Sequence, residues 1–524
     1  LPDDVRERAG AVAAVERRAG GHEGRGYTSA RRGPGRRIGS AAMARAARFT
    51  AAIVALATAL WLLVGRGLVN YDTLYSLVWG RQIAQGQAPD IDVALAPTPH
   101  PLATLAGVLA SPLSLASDAG VHGEPAQAAT LIVAFLALAL LGWVVYALGT
   151  AWFDPWVGVL AAAIVLTRRP VLDFGARAYV DIPYVALVLG ALLVETRRPR
   201  AGLPVLALLA VAGLIRPEAW LFSLAYLAFL VWRGERDARR LAALAAVAAS
   251  GPLLWALADW ALAGSPLHSL TGTRDTAATL GRVTGLGEVP LTVPRRLGEI
   301  LREPVLFGAL GGLALSWWWL RDRVRPAIVA GVLALAAFCV LAASGLPILG
   351  RYLLLPAAIG AILCGAGAFG WRSLPAGDRR RRPWAWFGVA TLAALVVFAP
   401  AQIGRIGDLR DALRIQDGIQ DDLRALVRRP PAALTPACTP VGVPNHRPIP
   451  LLALWLDVRP ERVVSLQERT IARGAYARPA TARVAADYVL DPRDRDKAIP
   501  PPPPGFTLAA ANRSWRVFRQ CRPG

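Results

Sequence analysis

Long apolar runs constrain this chain more than any other feature. The clear ones lie at about 46–69, 127–149, 178–195, 240–263, 326–344, 350–371 and 384–402, with shorter ones near 155–168, 203–215, 218–232 and 304–320. Crossing hydrocarbon takes about 20 apolar residues in a helix, because no water is present there to satisfy an open backbone. Eleven such segments predict an all-α polytopic membrane bundle. The four short ones suit helices that line a cavity rather than cross uniform lipid. Composition agrees: 55% of the 524 residues are apolar and the mean hydropathy is +0.41. The stretch 100–116 is interrupted by prolines and reads as re-entrant or interfacial.

Charge sets the orientation. The net charge is +22, from 58 basic and 36 acidic residues, and Lys497 is the only lysine. The arginines sit largely in short turns, so they report topology rather than a nucleic-acid partner. Basic turns occur at 197–200, 233–240, 321–325 and 372–382. Placing all four in the cytoplasm puts the N-terminus inside and the C-terminus outside a plasma membrane. Arg168-Arg169 then falls on the outer side, where the rule does not want it, and reads as a functional cation.

The ends of the chain differ in character. Residues 1–45 are rich in Arg and Gly and form a basic tail, or sequence upstream of a start at Met43, the only methionine. Residues 46–402 are the membrane domain, and its first segment reads as a retained anchor. Residues 403–524 predict a small α/β extracytoplasmic domain, with a helix over 408–428, strands at 441–443, 486–490 and 515–518, and a stiff connector at Pro500–Pro504. Cys438 and Cys521 bracket it and are expected to form a disulfide if it lies outside the cytoplasm, whereas Cys339 and Cys364 sit in apolar runs as packing residues.

The informative polar residues gather in the outer loops. Asn70-Tyr71-Asp72 follows the first apolar segment directly, and the loop after it carries Trp79, Arg81, Gln82, Asp90, Asp92 and His100. An acid just beyond a span needs a reason. Asp72 is either the centre of a membrane-facing site or the N-cap of a helix over 73–79, while Asp90 and Asp92, beside Pro89, suit a solvated turn. Arg177 stands four residues before Asp181, close enough to share a helix face, with Asp173 a further acid in the same turn. Arg216-Pro217-Glu218 forms the tip of a hairpin with short arms, so it should sit below the outer surface. His268 lies in a Gly-Ser-Pro-Leu-His-Ser-Leu loop, and Arg351-Tyr352 opens a late span, where an arginine either snorkels or binds a lipid phosphate.

No CxxC pair, HExxH, phosphate-binding glycine loop or GxSxG elbow is present. What remains is acids and arginines on one side of a membrane. A carboxylate can deprotonate a hydroxyl, carboxylates can hold a hard divalent ion, and a guanidinium can bind a departing phosphate. A transporter or flippase would also carry intramembrane charge, but the two halves here lack internal symmetry.

In their order, these features resemble the GT-C superfamily of integral-membrane glycosyltransferases: an early acid, a long outer loop, an acid near Ala-Arg-x-Tyr, an Arg-Pro-Glu hairpin, a Gly-x-Pro-x-x-Ser-Leu loop and a late Arg-Tyr-Leu-Leu-x-Pro. Actinobacterial mannosyl- or arabinosyltransferase-like members are the most similar. The resemblance implies a polyprenyl-phosphate sugar donor, a membrane lipid environment and a cell-envelope acceptor. It implies Asp72 as catalytic acid or base and Asp181 as second acid, or Asp173 if the turn shifts. It implies donor contacts from Arg177, Arg216, Glu218, His268, Arg351 and Tyr352, and acceptor or loop roles for Tyr71, Arg81 and His100. Many members pair acids in the first loop, but Thr73 follows Asp72 here, so a divalent metal (Mg, Mn or Ca) on Asp72 and Asp181 stays open.

Overall fold

The computed structural model describes residues 35–428, 433–491 and 496–521, with side chains from residue 43. The chain divides into two compact units, Leu1–Ala51 and Ala52–Gly524. Of the first, the basic tail before residue 35 lies outside the described residues.

Helices dominate. In order they are α1 Gly35–Val64, α2 Tyr71–Ala84, α3 Pro101–Leu109, α4 Ser111–Leu115, α5 Glu124–Trp152, α6 Pro155–Thr167, α7 Arg169–Ala176, α8 Asp181–Arg197, α9 Leu203–Gly213 and α10 Glu218–Trp232. They continue as α11 Ala238–Ala263, α12 His268–Thr279, α13 Val289–Leu301, α14 Glu303–Trp319, α15 Arg321–Ala343, α16 Leu354–Phe369, α17 Arg381–Val397, α18 Ala399–Val427 and α19 Ile449–Trp455. Among the described residues, five helical stretches are long and apolar enough to cross a membrane, up to eight if each of three bent pairs (α7 with α8, residues 286–319, and α17 with α18) is one span, and α6, α9 and α10 are shorter apolar helices. These eleven segments coincide one for one with the apolar runs of the sequence.

The helices run alternately between two ends that differ chemically. At one end Arg372 pairs with Asp154 at 3.2 Å, and Arg323 and Ser373 both bond the Phe153 carbonyl. The basic turns at 321–325 and 372–382 thus meet the end of α5 here, and Trp152 Nε1 donates to Thr196 Oγ1 beside a third, at 197–200. At the other end lie the α7–α8 bend (112°), the Arg216 hairpin tip, the α13–α14 bend (109°) and the entry into α18. The bundle core is buried along α5, α8 and α16, where Leu138, Val145, Leu189 and Ile362 are fully enclosed.

Beyond the bundle, the expected helix over 408–428 is the second half of a longer one, because α18 starts at Ala399 with only a 42° bend after α17. A five-stranded sheet follows, in the order β4–β3–β5–β7–β6, with β3 Val441–Val443, β4 Val463–Ser465, β5 Gly474–Pro479, β6 Thr507–Ala511 and β7 Trp515–Gln520; the hairpin β1 Ser117–Asp118 and β2 Val121–His122 lies apart. β3 runs parallel to β4 and β5, while β7 is antiparallel to β5 and β6. The expected strand at 486–490 is instead a helical turn. Thr481 caps that turn through Val484 N, and Asn445 takes the Val489 carbonyl, leaving β5 to supply the strand. Cys438 and Cys521 are disulfide-bonded, with Cα atoms 5.8 Å apart.

α2 is wedged into this arrangement. Residues 73–82 are all buried, the helix crosses α3 at Gly80 and Gly107, and it packs on α19. A Cβ on Gly80 would stand 2.1 Å from the Gly107 carbonyl carbon, so only glycine permits the crossing.

Candidate active site

Asp72 does not cap its helix. Asn70 does: its Oδ1 accepts from Thr73 N at 3.2 Å, while its Nδ2 and backbone N both donate to the Arg177 carbonyl at 2.8 and 3.0 Å. Thr73 Oγ1 donates to the next carbonyl, Ala178, at 2.8 Å. Ala178 takes a left-handed φ of +54°, which bends the chain between α7 and α8. The start of α2 is thus tied to the start of α8, and Asp72, in the first turn of one, is brought to Asp181, in the first turn of the other.

Five charged side chains alternate in a row. Arg351 Nη1 donates to Asp72 Oδ2 at 3.1 Å, and its Nε lies 3.9 Å from Asp181 Oδ2. Arg216 Nη1 donates to Asp181 Oδ1 at 2.5 Å, and its Nε and Nη2 donate to Glu218 Oε1 at 3.0 and 2.7 Å. The Arg216 guanidinium stands over the Tyr352 ring at 4.1 Å, with Tyr184 at 5.8 Å, and Arg351 faces Tyr179 at 5.2 Å. Asp181, Arg216 and Glu218 are buried, whereas Asp72 and Arg351 keep 22% and 19% of their side chains open. That opening is where a substrate can enter.

The row is not saturated. Asp181 Oδ2, Glu218 Oε2, Arg351 Nε and His100 Nδ1 are enclosed without a hydrogen-bond partner among the described residues. Burial, followed by Arg216, lowers the His100 imidazole to about 4, so the ring is neutral near pH 7. Three carboxylates face two guanidiniums. Charged groups with unused bonding capacity in a partly enclosed site mark a place built for a ligand rather than for stability alone.

Other expected residues fall elsewhere. Arg177 does not pair with Asp181; its Nε bonds Asp173 at 2.7 Å and its Nη2 bonds Gln416 on α18 at 2.7 Å, because α7 ends before Asp181 and turns its last residue toward α18. Arg81 is no acceptor contact: it is buried and donates to the carbonyls of Ala453, Leu454 and Val458. Tyr71 donates to the Leu95 carbonyl at 3.0 Å and packs on Tyr75 and His446. His268 opens α12 and pairs with Asp92 at 3.8 Å rather than with the row. Asp90 is not a solvated turn; it bonds Gln82 and Arg459. Arg168 is buried and held by the Leu301 carbonyl at 3.2 Å. Tyr184 carries a part of the site that no motif announced, and Asn70, singled out in the sequence beside Asp72, serves as the helix cap.

No group of three or more His, Cys, Asp or Glu among the described residues is placed to hold a metal ion. Asp72 and Asp181 are bridged by a guanidinium, which occupies the position a shared cation would need. As arranged, the pair does not fit a resident metal.

The profile of the dolichyl-phosphate-mannose-protein mannosyltransferase family matches residues 119–256, a stretch that includes Asp181, Arg216 and Glu218. ArnT from Cupriavidus metallidurans bound to undecaprenyl phosphate aligns with a TM-score of 0.52 at 16% identity, over 90% of this chain and 97% of that one. Its apo structure aligns at 0.53, again with 16% identity, over 90% and 98%. No curated protein sequence matches. The fold is therefore that of the GT-C membrane proteins, with a small C-terminal sheet domain, and the resemblance read from the order of motifs is borne out at the level of the fold.

Proposed function

We propose that the protein is a membrane glycosyltransferase that moves a sugar from a polyprenyl-phosphate donor to a cell-envelope glycan, lipid or protein acceptor. In this reading residues 46–402 are the catalytic domain and 403–524 an extracytoplasmic domain, with the N-terminus in the cytoplasm. The observation that carries it is the Asp72–Arg351–Asp181 contact at the open end of the row. Arg351 is the phosphate ligand, its planar fork matching phosphate oxygens. With no donor, that fork rests on Asp72. Donor phosphate competes for it and frees the carboxylate. Asp72 then takes the acceptor hydroxyl proton as the acceptor oxygen attacks the anomeric carbon. The carbon–oxygen bond to phosphate breaks, and polyprenyl phosphate leaves with its new charge on Arg351. Asp181, fixed by Arg216, orients Arg351, and Glu218 and Tyr352 fix Arg216 in turn.

The test is transfer itself. Purified protein given polyprenyl-phosphate hexoses and pentoses should release polyprenyl phosphate with at least one, and Asp72→Asn should abolish that release while still binding donor. Release by Asp72→Asn at the wild-type rate would remove the base assignment and shift it to Asp181.

A further inference from the structure

A second cluster of arginines lies at the same end of the bundle, outside the row. Arg169 at the start of α7, Arg302 between α13 and α14, and Arg405 on α18 line one cavity of about 290 Å³. Two acids also line it, but both are engaged: Asp173 with Arg177 at 2.7 Å, and Glu299 with Arg296 at 2.6 Å and Arg295 at 3.2 Å. None of the three cavity arginines has a carboxylate within ion-pair distance among the described residues. Arg168, buried behind them, experiences Arg405 and Arg302 as like charges. A lone arginine at a helix end snorkels into water. Three from separate segments lining one cavity, where both acids are already paired with other arginines, repel one another, and an anion relieves that repulsion.

The backbone adds to this. Arg302 sits at a positive φ of +69° immediately before α14, and Arg169 opens α7, so two of the three arginines flank helix starts. The neighbouring surface is apolar: Val396, Val397, Phe398 and Ile403 are exposed along the α17–α18 junction, and Phe307 and Leu310 are exposed on α14. A cationic cavity beside an exposed apolar strip matches a molecule with an anionic head and a hydrocarbon tail.

We infer that this cavity is a second site that binds the phosphate of a membrane lipid, distinct from the Asp72 row. The three guanidiniums hold the phosphate oxygens, and the tail lies against the strip formed by α14 and the α17–α18 junction. The site does not depend on the transfer reaction, and its test uses neither sugar donor nor acceptor.

The probes are dioctanoyl phosphatidate, dioctanoyl phosphatidylcholine with the same tails, and inorganic phosphate, each titrated into the full-length protein in detergent. Arg169 is exposed and Arg405 half-buried, so Arg169→Gln/Arg405→Gln leaves the core untouched. Phosphatidate should bind the wild type roughly tenfold or more tightly than this variant, since each charge-assisted contact is worth about a tenfold change. Added salt should narrow the difference. Phosphatidylcholine should bind both proteins alike. Equal phosphatidate affinity in the two proteins would overturn the site. Inorganic phosphate binding as tightly as phosphatidate would overturn its assignment to a lipid. Arg302→Gln provides an independent variant, and its retention of full phosphatidate affinity would also count against the site.

Discussion

Two buried arginine sites, one at each end of the helix that carries Asp72, make a useful contrast. Arg81, late in α2, points its guanidinium at the 453–458 segment: three carbonyls accept from it, and Asp457 pairs with it at 3.0 Å. Those partners are mostly backbone and close together in sequence, and two of the carbonyls also accept backbone N–H groups, Ala453 from Val458 and Leu454 from Asp457. Near the first turn of the same helix, Arg351 and Arg216 are shared among three carboxylates from three segments, and acid and guanidinium atoms alike are left unbonded. The first arrangement joins two parts of the protein. The second has bonding capacity in reserve, which makes it able to exchange one partner for another. Burial of charge alone therefore does not mark function; incomplete pairing next to an opening does.

This contrast can be broken in several places. The largest effect is expected at Asp72. Asp72→Asn should reduce turnover by roughly 10²–10⁴-fold with little change in thermal transition, because Asn70 caps the helix and Asp72 does not. Turnover and melting measured on one preparation would separate the two roles. Arg216→Met should instead destabilise the protein by about 3–5 kcal/mol, since it leaves Asp181 and Glu218 buried without their cation; a melting temperature equal to wild type would contradict the pairing.

Arg81→Met belongs to the other class. It should cost about 1–3 kcal/mol by leaving the Val458 carbonyl and Asp457 without their cation while the surviving folded protein keeps its turnover, as measured per active molecule. A pH test is expected to be of similar or smaller size. Folded His100 titrates near 4, but an unfolded histidine titrates near 6.5. Its contribution is thus fully present above about pH 6.5 and lost as the pH falls toward 4, by at most about 3 kcal/mol. His100→Gln should flatten that part of the melting profile. The smallest effect is at Arg351→Lys, which retains charge but loses the fork; donor affinity should fall roughly tenfold, and unchanged affinity would leave Arg351 as a structural partner of Asp72.

The architecture was largely legible in the sequence, because apolar length is a local property. Every apolar run became a helix or a bent pair, and even the short runs near 155–168 and 203–215 were correctly located. The acids and arginines of the site were also visible as residues out of place. Their pairing was not. Arg177 and Asp181 have helical spacing, yet a left-handed Ala178 lies between them and no helix joins them. Asp72 and Arg351 are 279 positions apart, and no spacing rule reaches that far. Arg81 looked like a loop residue because its partners, the carbonyls of 453–458, carry no side-chain signature. The helical turn at 485–489 shows the same limit, since the composition of Ala-Ala-Asp-Tyr-Val permits a strand until the Thr481 cap decides otherwise.

The wedged position of α2 has a consequence for the order in which the protein is made. Asp72 leaves the ribosome early, just after the first apolar segment. The α19 surface that covers α2, and the carbonyls that hold Arg81, are synthesised more than 360 residues later. The helix bearing the proposed base therefore spends most of translation without its lid. The groups that fix its first turn, the carbonyls of Arg177 and Ala178 and the guanidinium of Arg351, all precede that lid in the chain, so the partners of the row are made before the helix is covered.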